Sequence, residues 1–474
     1  MNNNKNRIAI FLMICFLFAE PFDGLTLITT GGGQGGAMNR KTILIDNDEN
    51  IINTWNHETK ASSIAYLSPD SILFLPCRKN GNDEGGPGGG TTGGRFIKKQ
   101  WNGDTLWDYE LSEEICIPHH DISILPNGNI LAICSETKTQ QEGISAGKQN
   151  LNGSFTLDML IEIEPVGDSD ANIVWEWHFW DHLIQNVSPD YENYGIISNN
   201  PQLLDINSNS SGGGGGNPGV GDWNHLNCVS YNSILDQIVI SSRHMNEFYV
   251  IDHSTTIGEA ASHSGGIYGK GGDFLFRWGN PTNYDRGSID DQILSAQHGV
   301  NWIPQGYPGE GNFILYNNNH SPNSSAVLEI MPPMNEDGTY FIENDNPYGP
   351  VSYHWIYQAG FYSNTQSGAF RLPNGNTIIS SAQDQQILEV SMNGGIQWVY
   401  QGDDHTVRAL KYSYDYFQED ILGDLNNDEI INILDVIMMV NIILDINNFS
   451  ENADINQDNI IDILDIVLLI NLIL

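Results

Sequence analysis

Basic residues are scarce in this chain. Lysine and arginine together number 19, against 59 aspartates and glutamates, and the formal net charge is −40 over 474 residues. That balance argues against nucleic acid as a partner, because neutralising a phosphate backbone needs a basic surface. Only 16% of residues are charged, so the acidity reflects missing cations more than a dense acidic coat. Such a chain tolerates bound divalent cations. Cysteine is rare too: there are five, none in Cys-x-x-Cys spacing, which removes the commonest structural zinc motifs. Beyond the N-terminus no apolar run is long enough to span a membrane.

The N-terminus carries Lys5 and Arg7, an apolar run over 8–19, and then Glu20-Pro21. A charged n-region before a short h-region predicts a secretory signal peptide, assigned to residues 1–24. The expected product is secreted, periplasmic or cell-surface-associated, and not transmembrane once the signal is removed. Cys77, Cys116, Cys134 and Cys228 then remain. A Cys116–Cys134 bridge flanking the Asn127-Gly128 turn and a set of buried free thiols are both open readings.

Residues 25–418 read as all-β. Short β-branched or aromatic runs alternate with Gly, Asn and Pro clusters, and helical periodicity is nearly absent outside a short piece at 180–186. Leu125-Pro126-Asn127-Gly128-Asn129 recurs as Leu372-Pro373-Asn374-Gly375-Asn376, a hairpin signal in which both central turn positions are expected at positive φ. Strands bearing Trp107, Trp175, Trp177, Trp278, Trp355 and Trp398 recur at blade-length intervals. The pattern suits a β-propeller of six blades, with a β-sandwich array as the alternative. Glycine tracts at 31–36, 85–94 and 212–216 read as loops, since the strand, Lys-Ser/Thr and helix of a phosphate-binding loop are missing.

After residue 417 the pattern turns helical. Two twelve-residue segments align thirty residues apart, with oxygen side chains at Asp424, Asn426, Asp428, Asn432 and Asp435, and again at Asp454, Asn456, Asp458, Asp462 and Asp465. Ile430 and Ile460 fall where a backbone carbonyl completes the set, so each loop can wrap one Ca2+. An apolar helix follows each loop. Residues 421–474 thus resemble a type I dockerin, a small α-helical EF-hand-like module. The resemblance implies two calcium sites and a cohesin-type protein partner. Position six of each loop, usually glycine, is Glu429 or Asn459. An acidic hairpin without metal is the plainer reading.

Thirteen histidines are present, and four segments set them beside Asp, Asn, Arg or Gln. These are Pro118-His119-His120-Asp121, Asp222-Trp223-Asn224-His225-Leu226-Asn227, Ser241-Ser242-Arg243-His244-Met245-Asn246 and Gln297-His298-Gly299. Loops of different blades converge on a propeller's channel, so the segments can share one site. Neutral imidazole attacks electrophilic sulfur or phosphorus, and fixed cations and amides stabilise the anion that is moved. Arg243 and Arg277 supply scarce cations; His119, Asn227 and Asn246 add substrate-binding donors. Zinc held by three imidazoles is the rival, opposed by long irregular spacing and by Arg243 beside His244. His253, His263 and His320 read as ordinary structural histidines.

Together with both Leu-Pro-Asn-Gly-Asn repeats, Tyr249-Val250-Ile251-Asp252 and Phe276-Arg277-Trp278-Gly279, these segments make residues 119–400 similar to the PAPS-independent arylsulfotransferases. The resemblance implies a ping-pong transfer of a sulfuryl group from an aromatic sulfate ester to a phenolic acceptor, without nucleotide donor or organic cofactor. His298 becomes the sulfated nucleophile, His120, His244 and Arg277 surround the sulfuryl group, and His225 joins them through its motif. A non-catalytic carbohydrate- or protein-binding propeller is the second reading. A hydrolase, with water replacing the phenol, is the third.

Overall fold

The computed structural model describes residues 20–30, 40–79, 92–208, 221–358, 360–402, 406–417, 422–425, 430–444, 451–456 and 460–473. The expected signal run over 8–19, Asn426, Asp428 and Asp458, and all or most of each glycine tract lie outside the described residues. Two compact units divide the chain: Met1–Leu67 with Ile72–Ser413, and Ser68–Ser71 with Tyr414–Leu474.

The first unit is a six-bladed propeller. Its blades are four-stranded antiparallel meanders, and the first is closed by the end of the unit: Ala409–Tyr412 pairs with Leu25–Thr29, which continues to Lys41–Ile45 and Ile51–Asn56. This closure leaves the ring no open end, and the radial arrangement leaves each blade only a short outer edge strand. The second blade runs from Tyr66–Leu67 to Thr105–Glu110, and the third from Ile117–Ile124 to Asp170–His178. The fourth runs from Leu226–Asn232 to Phe276–Trp278, the fifth from His298–Trp302 to Trp355–Tyr357, and the sixth from Gly368–Arg371 to Ile396–Gln401. First strands of successive blades pack on each other, Ile117–Ile124 on Leu226–Asn232, and Leu226–Asn232 on His298–Trp302. They line the centre.

The tryptophan periodicity has a structural cause. Every outermost strand carries a Trp, and its indole N–H reaches the next blade. Trp55 donates to the Gln100 carbonyl, Trp107 to Asp170, Trp177 to Gly272, Trp278 to Pro350, Trp355 to Met392, and Trp398 back to Asn47 of the first blade. Ring and donor together bury apolar area while satisfying the one polar atom of the side chain.

The two Leu-Pro-Asn-Gly-Asn repeats form the same turn, and it differs from the one expected. Gly128 and Gly375 have φ of 83° and 86°, but Asn127 and Asn374 are not at positive φ. Pro126 and Pro373 have φ locked near −65°, which selects a type I turn followed by a left-handed glycine. Gly128 N–H donates to the Leu125 carbonyl at 2.9 Å, and Gly375 N–H to Leu372 at 2.9 Å. The helical piece expected at 180–186 is a single 3-10 turn, Phe179–His182. Cys77, Cys116, Cys134 and Cys228 are buried free thiols.

In the second unit the helices Ile433–Leu444 and Ile463–Ile473 bury Val436, Met439, Ala453 and Leu469 between them.

Candidate active site

Three inner strands break register where the histidine segments enter them. Ile117–Ile124 is paired at Pro118 and again at Ile122, so His119, His120 and Asp121 form a bulge. The strand Leu226–Asn232 slips between Leu226 and Cys228, and His298–Trp302 slips between His298 and Asn301. Bulges re-aim side chains out of the alternating pattern. His120 and His225 hold φ of 58° and 52°, and Asn246, Ala296 and Gln366 share that left-handed region. Each such residue costs of order 1 kcal/mol, which the surrounding packing must offset.

The bulges gather the imidazoles. The rings of His120 and His225 meet edge to face with centres 4.6 Å apart, and His225 stacks on His244 at 4.6 Å. His119 Nε2 donates to Asp158 Oδ1 at 2.8 Å, and its Nδ1 lies 2.7 Å from His120 Nδ1, so one proton sits between those two nitrogens. His119 is therefore a prop for His120, with both ring nitrogens occupied inside the protein. Burial, with His225, His119, His298 and Arg408 nearby, holds His120 well below its ordinary pKa. Burial and His225 push His244 down to about 4. His225 Nδ1 is hydrogen-bonded to Asp222. Burial opposes the Asp222 charge, but His225 and His244 outweigh it and hold the carboxylate low.

His298 has an assigned tautomer. Its Nδ1 lies 2.8 Å from Asn318 Oδ1 and 3.0 Å from the Ala296 carbonyl. The Asn318 amide nitrogen donates to the Ser363 and Gln366 carbonyls, both at 2.9 Å, so its oxygen can only accept. Nδ1 therefore carries the proton and Nε2 the lone pair. Gln366 N–H reaches that lone pair at 3.2 Å. Burial, followed by the Arg243 charge, holds His298 well below its ordinary pKa.

Arg243 sits in the turn after Gln237–Ser242, half-buried, with its backbone N–H on the His225 carbonyl at 3.0 Å. A second cation that the sequence reading missed is Arg408, buried and paired with Asp121 at 2.6 Å. Its stem crosses Gly368, where an added Cβ would lie 2.4 Å from Arg408 Cδ. The expected placement of Arg277 beside the sulfuryl group is not what is found. Arg277 lies on the outermost strand of the fourth blade, fully buried, with Nε and Nη2 on Glu247 and Nη1 on the Pro201 and Leu203 carbonyls. Tyr284 lies 4.3 Å beneath its guanidinium. Its scarcity in sequence reflected a buried ion pair.

Asn227 and Asn246 act between blades. Asn227 donates to the Gln297 carbonyl at 2.7 Å, and Asn246 Oδ1 accepts from Ala296 N–H at 2.8 Å, so both fix the segment that presents His298. Asp222, His225 and His244 bring donor atoms within 4.8 Å, the arrangement a metal would use, but Arg243 adjoins it. Asp158 and Gln366 escaped the sequence reading. A polar residue inside an apolar strand run, such as Asp158 in Phe155–Val166, was the available signal.

In the second unit the described parts of the two loops hold their last carboxylate in the same way. Asp435 accepts from Leu425 and Asn432 N–H, both at 2.8 Å, and Asp465 accepts from Ile455 and Asp462 N–H at 2.9 and 2.8 Å. Asp424, Asp435, Asp454 and Asp465 are all buried. Carboxylates concentrated under cover this way suit a hard divalent cation. The apolar helices leave Ile433, Leu434, Ile437, Ile463, Leu464 and Val467 exposed.

A family model described as Arylsulfotransferase (ASST) matches residues 39–419, and one described as Dockerin type I domain matches residues 422–474. Type I dockerin domains are generally calcium-binding and generally bind cohesins. No curated protein matches the chain. Among solved structures, a periplasmic gluconolactonase of Pseudomonas aeruginosa is 10% identical, with 82% of this chain and 99% of that chain covered and a TM-score of 0.43. A protein of unknown function from Bacteroides caccae is 9% identical over 82% and 98%, with a TM-score of 0.42. Virginiamycin B lyase from Staphylococcus aureus is 10% identical over 80% and 85%, with a TM-score of 0.36.

Proposed function

The chain belongs to the arylsulfotransferase family, and on that premise we propose that it moves a sulfuryl group between phenols through a sulfohistidine at His298. The observation that carries this reading is the fixed tautomer of His298, protonated at Nδ1 and bearing its lone pair at Nε2. In the first half-reaction Nε2 attacks the sulfur of an aromatic sulfate ester. An N–S bond forms, the S–O ester bond breaks, and the phenoxide leaves with that electron pair and takes a proton. In the second half, an acceptor phenol attacks the same sulfur and loses its proton, and the N–S electrons return to Nε2.

His225, held at Nδ1 by Asp222, and His120, propped by His119, are the groups proposed to hand over and receive those protons. His244 supports His225 by stacking. Arg243 and Arg408 supply positive charge for the sulfuryl oxygens. Gln366 N–H must release Nε2 as the donor arrives, and its left-handed backbone lies in the segment that would shift. Turnover of 4-nitrophenyl sulfate with phenol, and an intact-mass gain of one SO3 on the chain, test the reading. A His298→Ala chain that keeps both would sink it.

The tail is proposed to hold two calcium ions, one with Asp424, Asn426, Asp428, Ile430, Asn432 and Asp435, the other with Asp454, Asn456, Asp458, Ile460, Asp462 and Asp465. It would tether the enzyme to a cohesin-type protein outside the cell, after removal of an N-terminal signal.

A further inference from the structure

Away from the central histidines, two imidazoles converge on one carboxylate. Asp273 Oδ1 lies 2.8 Å from His182 Nδ1 and 2.7 Å from His263 Nδ1. All three donor atoms fall within 4.8 Å of one another. His182 is fully buried and Asp273 nearly so, while His263 is 60% exposed. The second nitrogen of His182, Nε2, is 2.8 Å from the Ala260 carbonyl, which can only accept. Nε2 therefore carries a proton. A neutral His182 then turns its Nδ1 lone pair onto a carboxylate oxygen, and two acceptors at that distance repel unless a positive centre lies between them. A proton on each Nδ1 would serve too, but it would make the fully buried His182 an imidazolium. One divalent cation satisfies all three atoms with both rings neutral.

The surroundings favour the second solution. An imidazole bound through one nitrogen commonly donates its other N–H to a backbone carbonyl, as His182 does to Ala260. Trp177 stacks on His182 with ring planes 6° apart and ties its indole to Gly272, so the ring cannot swing away. A cavity of about 770 Å³ borders His263 and is lined by Glu142, Asp181, Asp190 and Glu192, concentrating cations beside it.

We propose that His182, His263 and Asp273 form a zinc-class divalent cation site with a fourth position open to water. Bonds of about 2.0–2.2 Å at tetrahedral angles put ligand atoms about 3.3 Å apart. Both gaps to Asp273 Oδ1 must therefore open by roughly half an ångström, the one to His182 by a turn of the Asp273 carboxylate and the other by a movement of the exposed His263. The site would join the turn Phe179–His182, which follows the third blade, to the long connection between the last two strands of the fourth. His182 and Asp273 are 91 residues apart, so no local spacing motif announces them.

The test is metal titration of the chelator-stripped full-length chain, with excess calcium present to fill oxygen-ligated sites. Co2+ is expected to give the visible absorption of one tetrahedral site, displaced by Zn2+. The His263→Ala chain, altered at an exposed residue, is expected to bind Zn2+ at least tenfold more weakly, and His225→Ala to bind as tightly as the parent. Absence of the cobalt signal, affinity indifferent to His263→Ala, or loss of binding in His225→Ala alone would each overturn the proposal.

Discussion

The Nδ1–H of His298 donates to Asn318 Oδ1 over 2.8 Å, and Asn318 has no freedom to turn its amide round. Attack from Nε2 needs the neutral ring, and burial keeps His298 well below its ordinary pKa. The acid limb of kcat/KM is therefore expected below pH 6.5. Asn318→Asp places a carboxylate against Nδ1, stabilises the imidazolium and moves that limb to higher pH. A pH–rate profile with 4-nitrophenyl sulfate checks it, and an unmoved limb would separate Asn318 from the chemistry.

Arg243 lowers the His298 pKa by its charge. Arg243→Gln should cost about 10²–10³ in kcat/KM, as loss of a transition-state donor does, and also shift the acid limb upward.

Arg277 offers the contrast. Arg277→Met leaves Glu247 buried without its partner, and the expected loss is about 3–5 kcal/mol of stability. Its pH–rate profile should keep the parent shape, read on whatever fraction folds at low temperature. A shifted profile would return Arg277 to the active site.

Stability should fall on both sides of neutrality for separate reasons. Burial pushes His57 down to about 3 and His244 down to about 4, and lowers His120 and His298 as well. The unfolded chain takes up those protons below pH 6.5 and the folded chain does not, so stability declines by up to about 1.4 kcal/mol per pH unit for each group. His253 behaves oppositely. Burial opposes its charge, but Asp236 and Glu162 raise it to about 9. Its contribution is complete below pH 6.5 and lost as pH rises through about 9. Urea midpoints measured across pH should show His253→Gln flattening the alkaline decline alone.

The tryptophan ring predicts a graded effect. Trp107→Phe keeps most of the buried area but removes the bond to the Asp170 carbonyl. A loss of about 1 kcal/mol or somewhat more is expected in urea unfolding, since the carbonyl is left unsatisfied. No loss would make the indole N–H incidental.

Calcium should raise the helical circular dichroism of the full chain, and chelation should reverse it. Asp435→Ala with Asp465→Ala should abolish the response. A signal indifferent to calcium in the parent chain would count against both proposed sites.

The fold was legible because its cause is local and repeated. A tryptophan on the outermost strand recurs once per blade, and the glycine-ended turn recurs in the third and the sixth, each doing the same physical work every time. The tail was legible for the same reason, since a calcium loop draws its ligands from twelve consecutive residues. The nucleophile candidate, His298, also stood out through its company in sequence.

Which cation serves the histidines was beyond the reach of sequence. Arg277 and Arg408 are equally scarce residues in an acidic chain, yet one is locked to Glu247 on an outer strand and the other crosses the centre beside Asp121. Asp158 and the meeting of His182, His263 and Asp273 were hidden for the same reason. The chain by itself determined the periodic elements, because backbone preference and hydrophobic patterning act over a few residues. Only the closed ring decided which polar side chains meet, because hydrogen bonds and ion pairs depend on distances between blades far apart in sequence.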